Sequence, residues 1–133
     1  MLQDLQAADK KIALATSKPE CFARQILEKY ELLPYFDEVV GSELDGRRSN
    51  KAEVIEEALK RLKVTKRNQV IMVGDRKYDM LGAKACQIVS AGVTFGYAQD
   101  GELEEVVPEY IVTTIEELTK LLINQDFRKN SEN

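Results

Sequence analysis

The chain has no histidine and no tryptophan, and only two cysteines and three prolines in 133 residues. Without histidine there can be no Ser–His or Cys–His nucleophile pair, no imidazole acid–base catalysis and no histidine-ligated zinc. Any chemistry on protons or phosphates falls to carboxylates, hydroxyls and lysines. Cys21 and Cys86 sit in helical patterns without metal-type spacing, which predicts buried free thiols in a reducing cytoplasm. No apolar run approaches the roughly 20 residues of a membrane span. No charged-then-apolar leader opens the chain, so secretion is not expected. A basic face is missing too: the formal net charge is -4 with 32% charged residues, unlike a nucleic-acid binder. These absences predict a soluble, mildly acidic, cytoplasmic protein with neither membrane nor nucleic acid as partner. What remains is 44% apolar residues on a single-domain length, enough for a core.

Strand and helix patterns alternate. Met1 to Ala8 reads as helix, so the chain enters in mid-pattern. Lys11–Thr16 is an apolar run ending at Ser17 and Pro19, as a buried strand does. Phe22, Ile26, Leu27 and Tyr30 recur at helical spacing, and Phe36–Gly41 reads as a second strand. Asn50–Leu62 is an amphipathic helix with Val54, Ile55, Ala58, Leu59 and Leu62 on one face. Gln69–Gly74 is the clearest strand, followed by a helix from about Lys77 to Ala85. Ile88–Phe95 and Tyr110–Thr113 supply two more strands, and Ile115–Leu122 a last helix behind the capping box Thr114–Glu117. Such alternation predicts an α/β fold with a doubly wound parallel sheet of about five strands. Residues 1–123 form the core domain in this reading, and 124–133 a polar, frayed tail.

In open parallel sheets, ligands bind beyond the carboxyl ends of the strands. Three of those ends carry a cation at a helix start, where the macrodipole favours anions. Lys18 follows Ser17, Lys51 follows the N-cap Asn50, and Arg76 and Lys77 follow Gly74–Asp75. Solvated surface cations with a screened dipole penalty are the plain alternative. Three in succession favour a shared anion, most simply a phosphate held by backbone N–H groups and lysines. Asp75 and Asp79 lie four residues apart, a spacing at which like charges repel unless a cation such as Mg²⁺ joins them. An N-cap and a favourable first-turn carboxylate explain the pair equally well. Thr16 offers a hydroxyl at a strand tip, and Ser17, with Glu20 three residues later, reads as the cap of the next helix.

In this order the pieces resemble the haloacid dehalogenase superfamily, in its phosphoglycolate-phosphatase-like branch. The second motif of that family, an apolar strand ending in Thr or Ser, is matched by Ile12–Thr16 followed by Ser17-Lys18-Pro19. Its third, a lysine opening a helix, is matched by Lys51 in Arg48-Ser49-Asn50-Lys51, and its fourth by Gly74-Asp75-Arg76-Lys77-Tyr78-Asp79. Gly92–Tyr97 followed by Glu102-Leu103 resembles the stretch that closes the core domain. The resemblance implies a Mg²⁺-dependent phosphatase acting on a small phosphorylated metabolite through an aspartyl-phosphate. It assigns Thr16 and Lys51 as catalytic, with Thr16, Ser17 and Lys51 on the phosphate. Asp75 and Asp79 fall on the metal, with Asp79 alternatively paired with Lys51.

The first motif of the family, Asp-x-Asp-Gly, is absent; Leu44-Asp45-Gly46 lacks its first carboxylate. The chain therefore reads as the C-terminal part of a longer protein, without the nucleophile, the central first-motif strand or the cap domain, and inactive alone. A non-catalytic phosphate- or partner-binding module of the same ancestry is the second reading. A receiver-type signalling domain is disfavoured, because its acidic pair belongs near the start, where only Asp4 and Asp9 occur. With the central strand missing, Lys11–Thr16 and Gln69–Gly74 are expected to close up and pair in the order 2-1-3-4-5. Self-association through the unfilled slot is the alternative.

Overall fold

A computed structural model describes residues 1–48, 50–96 and 101–124, and the chain divides into two units, Met1–Val64 and Thr65–Asn133. Ser49, Tyr97 and the predicted tail beyond Asn124 lie outside the described residues.

The first unit runs α1 (Leu2–Ala7), β1 (Ala13–Pro19), α2 (Glu20–Lys29), β2 (Glu38–Ser42) and α3 (Lys51–Arg61). β1 and β2 pair in parallel, Ala13 to Ala15 opposite Glu38 to Val40, with α2 as the crossover such pairing needs. Alternation along each strand sends successive side chains to opposite faces. Val39 meets Ala23 and Leu27 of α2, joined by Leu14, Leu32, Leu33 and Phe36. Val40 meets Val54 and Ala58 of α3, joined by Ala13 and Ala15. One helix thus covers each face, the doubly wound arrangement the alternation predicts.

The second unit runs β3 (Ile71–Gly74), α4 (Lys77–Ala85), β4 (Val89–Val93), α5 (Glu102–Glu105), β5 (Tyr110–Val112) and α6 (Ile115–Asn124). Its sheet is parallel in the order β3-β4-β5. β4, in the middle, is buried throughout, and Met80 of α4 packs with Leu103 and Val106. Of the capping box expected at α6 the Thr114 half forms, while Glu117 reaches back to Thr113 and not to the Thr114 N–H. The Glu117 N–H donates to Thr114 Oγ1 at 3.1 Å and Thr113 Oγ1 donates to Glu117 at 2.7 Å. No helix among the described residues is long and apolar enough to cross a membrane.

Three expectations change. The first strand extends to Pro19, so Ser17 caps nothing and α2 begins at Glu20 after Pro19. Proline bars helical backbone from the residue before it, so Lys18 stays extended. Glu20, expected to close a capping box, instead accepts the Gly41 N–H at 3.3 Å. The second change is in the sheet: β1 and β3 belong to separate sheets, and the 2-1-3-4-5 closure does not occur. Closure was expected on the premise that their unpaired edges are buried, but both strands are only half-buried. An unpaired backbone group costs most where it is fully buried. The third is a thiol: Cys86 is buried but Cys21 is exposed. The buried face of α2 is Ala23 and Leu27, while Phe22, Ile26 and Tyr30 point outward.

Candidate functional site

β1 delivers Thr16 to its carboxyl end, where its register against β2 slips between Ala15 and Pro19. Thr16 is half-buried and Ser17 exposed. Thr16 Oγ1 accepts the Lys18 N–H at 3.2 Å, a local turn that fixes the hydroxyl. α3 starts beside this tip. Asn50 Oδ1 caps it by accepting the Ala52 N–H at 2.8 Å, which places Lys51 as its first residue. The Lys51 ammonium donates to the Ala15 carbonyl at 3.1 Å. That bond brings the Lys51 ammonium to the strand tip, one residue before Thr16.

The tip is held from behind by a network that the sequence does not announce. Glu20 Oε1 lies 3.0 Å from Arg61 Nη1 and 3.5 Å from Arg48 Nη2. Arg48 Nε donates to the Gly41 carbonyl at 2.9 Å, and Arg61 donates to Glu57 at 2.9 Å and to the Val39 carbonyl at 3.1 Å. The hydrogen bond from Arg61 holds Glu57 below the ordinary carboxylate range. Burial works against the charge on Arg61, but Glu57 and Glu20 more than offset it and raise its pKa. Gly41 is required here because a Cβ would collide with the backbone of Lys18 and Glu20. Glycine, charge pairs and α3 together fix the β1 tip.

Asp45, in the Leu44-Asp45-Gly46 step, is an exposed turn residue. It accepts from the Arg47 N–H at 3.1 Å and Arg47 Nε at 2.8 Å. The Arg47 N–H above all, then its guanidinium, lowers the Asp45 pKa. This is turn chemistry, and nothing there matches the missing nucleophile.

In the second unit, Asp75 and Asp79 flank the start of α4. Arg76, rather than Asp75, is the N-cap, in extended backbone. Buried Asp79 accepts the Arg76 N–H at 3.4 Å, and a Cβ on Gly74 would strike its carboxylate. Asp75 is half-buried, and a Cβ on Gly96 would strike its side chain. Both glycines are thus the backing of a carboxylate. Of the two cations expected to face an anion here, Arg76 is already neutralised: its Nε donates to Glu102 at 2.9 Å. That bond raises the Arg76 pKa. Among the described residues no cluster of three or more ligating side chains occurs. Two hard carboxylates seated against glycine backbone still fit a Mg²⁺ that keeps most of its waters.

Comparison with known proteins bears on these motifs. The family model for "Haloacid dehalogenase-like hydrolase" matches residues 1–93. The tyrosine-protein kinase PtkA of Mycobacterium tuberculosis is 34% identical over 124 residues, 92% of this chain and 42% of that protein. A phosphoglycolate phosphatase of Vibrio parahaemolyticus is 29% identical over 121 residues, 91% of this chain and 53% of that protein. A crystal structure of a predicted phosphatase from Clostridium acetobutylicum matches with a TM-score of 0.88 and 41% identity, covering 93% of this chain and 57% of that one. The chain thus spans about half the length of the curated relatives it matches. With the family model covering its first 93 residues, the chain belongs to the haloacid dehalogenase-like hydrolase family.

Proposed function

We propose that this chain carries the phosphate- and metal-binding half of a Mg²⁺-dependent phosphatase that hydrolyses a small phosphomonoester through an aspartyl-phosphate. The observation that carries this reading is the Lys51 ammonium at 3.1 Å from the Ala15 carbonyl, beside Thr16. A phosphoryl group at the β1 tip would accept from the Thr16 hydroxyl and from N–H groups at the tip. Lys51 would neutralise the charge that builds on the phosphoryl oxygens in the transition state. In the second unit Asp75 and Asp79 would hold Mg²⁺, an ion that when bound supplies positive charge to phosphoryl chemistry.

A carboxylate nucleophile from an Asp-x-Asp-Gly motif is absent from these 133 residues. The covalent route is closed without it, whatever binding groups remain. The purified chain with Mg²⁺ and an aryl phosphate should therefore show no hydrolysis above background. Joining it to the unmatched part of the C. acetobutylicum protein should restore Mg²⁺-dependent turnover, abolished by Lys51→Ala and by Asp75→Asn. Turnover by the chain alone would sink the first half of the proposal. A folded, phosphate-binding but inactive chimera would favour the non-catalytic module.

A further inference from the structure

The second unit holds a buried carboxylate with no place in the chemistry above. Glu102 is the first residue of α5 and 6% exposed, entered from Gly101 at φ 78. A buried ionised carboxylate is costly unless it is paired and hydrogen-bonded. Here Oε2 accepts the Lys77 N–H at 2.8 Å and Arg76 Nε at 2.9 Å. Lys77 opens α4, where exposed N–H groups favour a negative charge.

What these bonds hold is the turn between the two carboxylates of the proposed metal site. Arg76 is gripped from two sides: its guanidinium by Glu102, its N–H by Asp79 at 3.4 Å. Lys77 is gripped through its N–H by Glu102. Asp75, the residue before, rests against Gly96 in the segment between β4 and Glu102. The side chains of Arg76 and Lys77 lie over the Tyr78 ring, at 5.4 Å and 5.5 Å. The turn after β3 is thus backed at successive residues by the chain that follows β4.

We propose that Glu102 is a positioning residue. It clamps the Arg76–Lys77 turn and thereby fixes where Asp75 and Asp79 present their oxygens to a hard cation. This rests on the reading of that pair as metal ligands. Groups that orient metal ligands typically change metal affinity by about 10–100-fold when removed.

The test uses the full chain, ¹⁵N-labelled, with Mn²⁺ as probe, comparing wild type, Glu102→Gln and Glu109→Gln. Glu109 is the control. It accepts from the Ser90 N–H at 2.8 Å and Ser90 Oγ at 2.9 Å in the same unit. Mn²⁺ should broaden the amides around Asp75 and Asp79 in wild type. Glu102→Gln should need about tenfold more Mn²⁺ for the same broadening, whereas Glu109→Gln should match wild type. Without metal, Glu102→Gln should also speed amide exchange at Lys77 and Asp79 and spare β4. Unchanged Mn²⁺ response and unchanged exchange in Glu102→Gln would overturn the proposal. If wild type shows no broadening there, the metal reading fails, and faster local exchange in Glu102→Gln still supports the clamp while unchanged exchange overturns it. Should Glu102→Gln fail to fold, Glu102→Asp, which keeps the charge but shortens the reach, is judged by the same comparisons.

Discussion

Gly41→Ala probes the support behind the β1 tip with the addition of a single methyl group. The new Cβ would lie 2.8 Å from both the Cα and N of Glu20 and closer still to the Lys18 carbonyl oxygen. Every one of those atoms is backbone, so no rotamer change relieves the contact; the strand tip or β2 must move. Overpacking of this kind costs about 1–3 kcal/mol. Alanine also narrows the unfolded ensemble, which returns roughly 0.4–1 kcal/mol. The net is a loss of about 1–2 kcal/mol, a fall of roughly 4–8 °C in melting temperature for a chain of this size. Circular dichroism melts would measure it, with amide shifts reporting where the strain goes. Those of Lys18 and Glu20 should move most, followed by Thr16 and Ser17, because the atoms met are Lys18 and Glu20 backbone. Gly46→Ala is the contrast: its backbone is at φ +89 but nothing lies within 4 Å. Its cost of about 1–2 kcal/mol should come from backbone conformation alone and leave Thr16 undisturbed. A Gly41→Ala chain that melts like wild type with unmoved Thr16–Glu20 resonances would refute the reasoning.

Two further outcomes follow from the same coordinates. Glu57 has a folded pKa depressed below its ordinary 4.5. Its contribution is therefore present above that value and lost as pH falls through the depressed one. Urea unfolding across acid pH should show Glu57→Gln losing less stability on acidification than wild type, and equal slopes would contradict the pairing with Arg61. With Cys21 exposed and Cys86 buried, a thiol reagent should titrate one cysteine quickly in the native chain and the second only on unfolding. Equal rates would place Cys86 nearer the surface than it lies here.

Much of the first unit was legible because its signals are local. Asn50 is a cap followed by an amphipathic run, and α3 begins within a residue of where that pattern places it. Val39 and Val40 could be assigned to a buried strand from apolarity alone. The start of α2 was misplaced because Ser17 and Glu20 imitate a capping box, while Pro19, only one residue away, decides the boundary. Long-range partners left no local trace. Glu20 meets Arg48 and Arg61 across 28 and 41 positions, and Glu102 meets Arg76 across 26. Nothing in the spacing of these charges distinguishes them from solvated ones. Among the predicted site residues, Lys51 donates to the Ala15 carbonyl, next to Thr16 in sequence, and Asp75 and Asp79 flank the start of α4. Ser17 stands beside Thr16 as an exposed residue and not as a cap. The sheet order was misjudged because apolar runs mark strands without saying which strands pair.

The central claim is a phosphate site at the β1 tip, and titration of the ¹⁵N-labelled chain with inorganic phosphate tests it most directly. The account predicts that the amides of Thr16, Ser17 and Lys51 shift together on one binding curve. It also predicts that Lys51→Ala weakens that curve about tenfold or more, the loss of a charged hydrogen-bonding partner worth ~1.5–3 kcal/mol. Shifts that leave these three residues unmoved, or a Lys51→Ala chain that binds phosphate as wild type does, would contradict it.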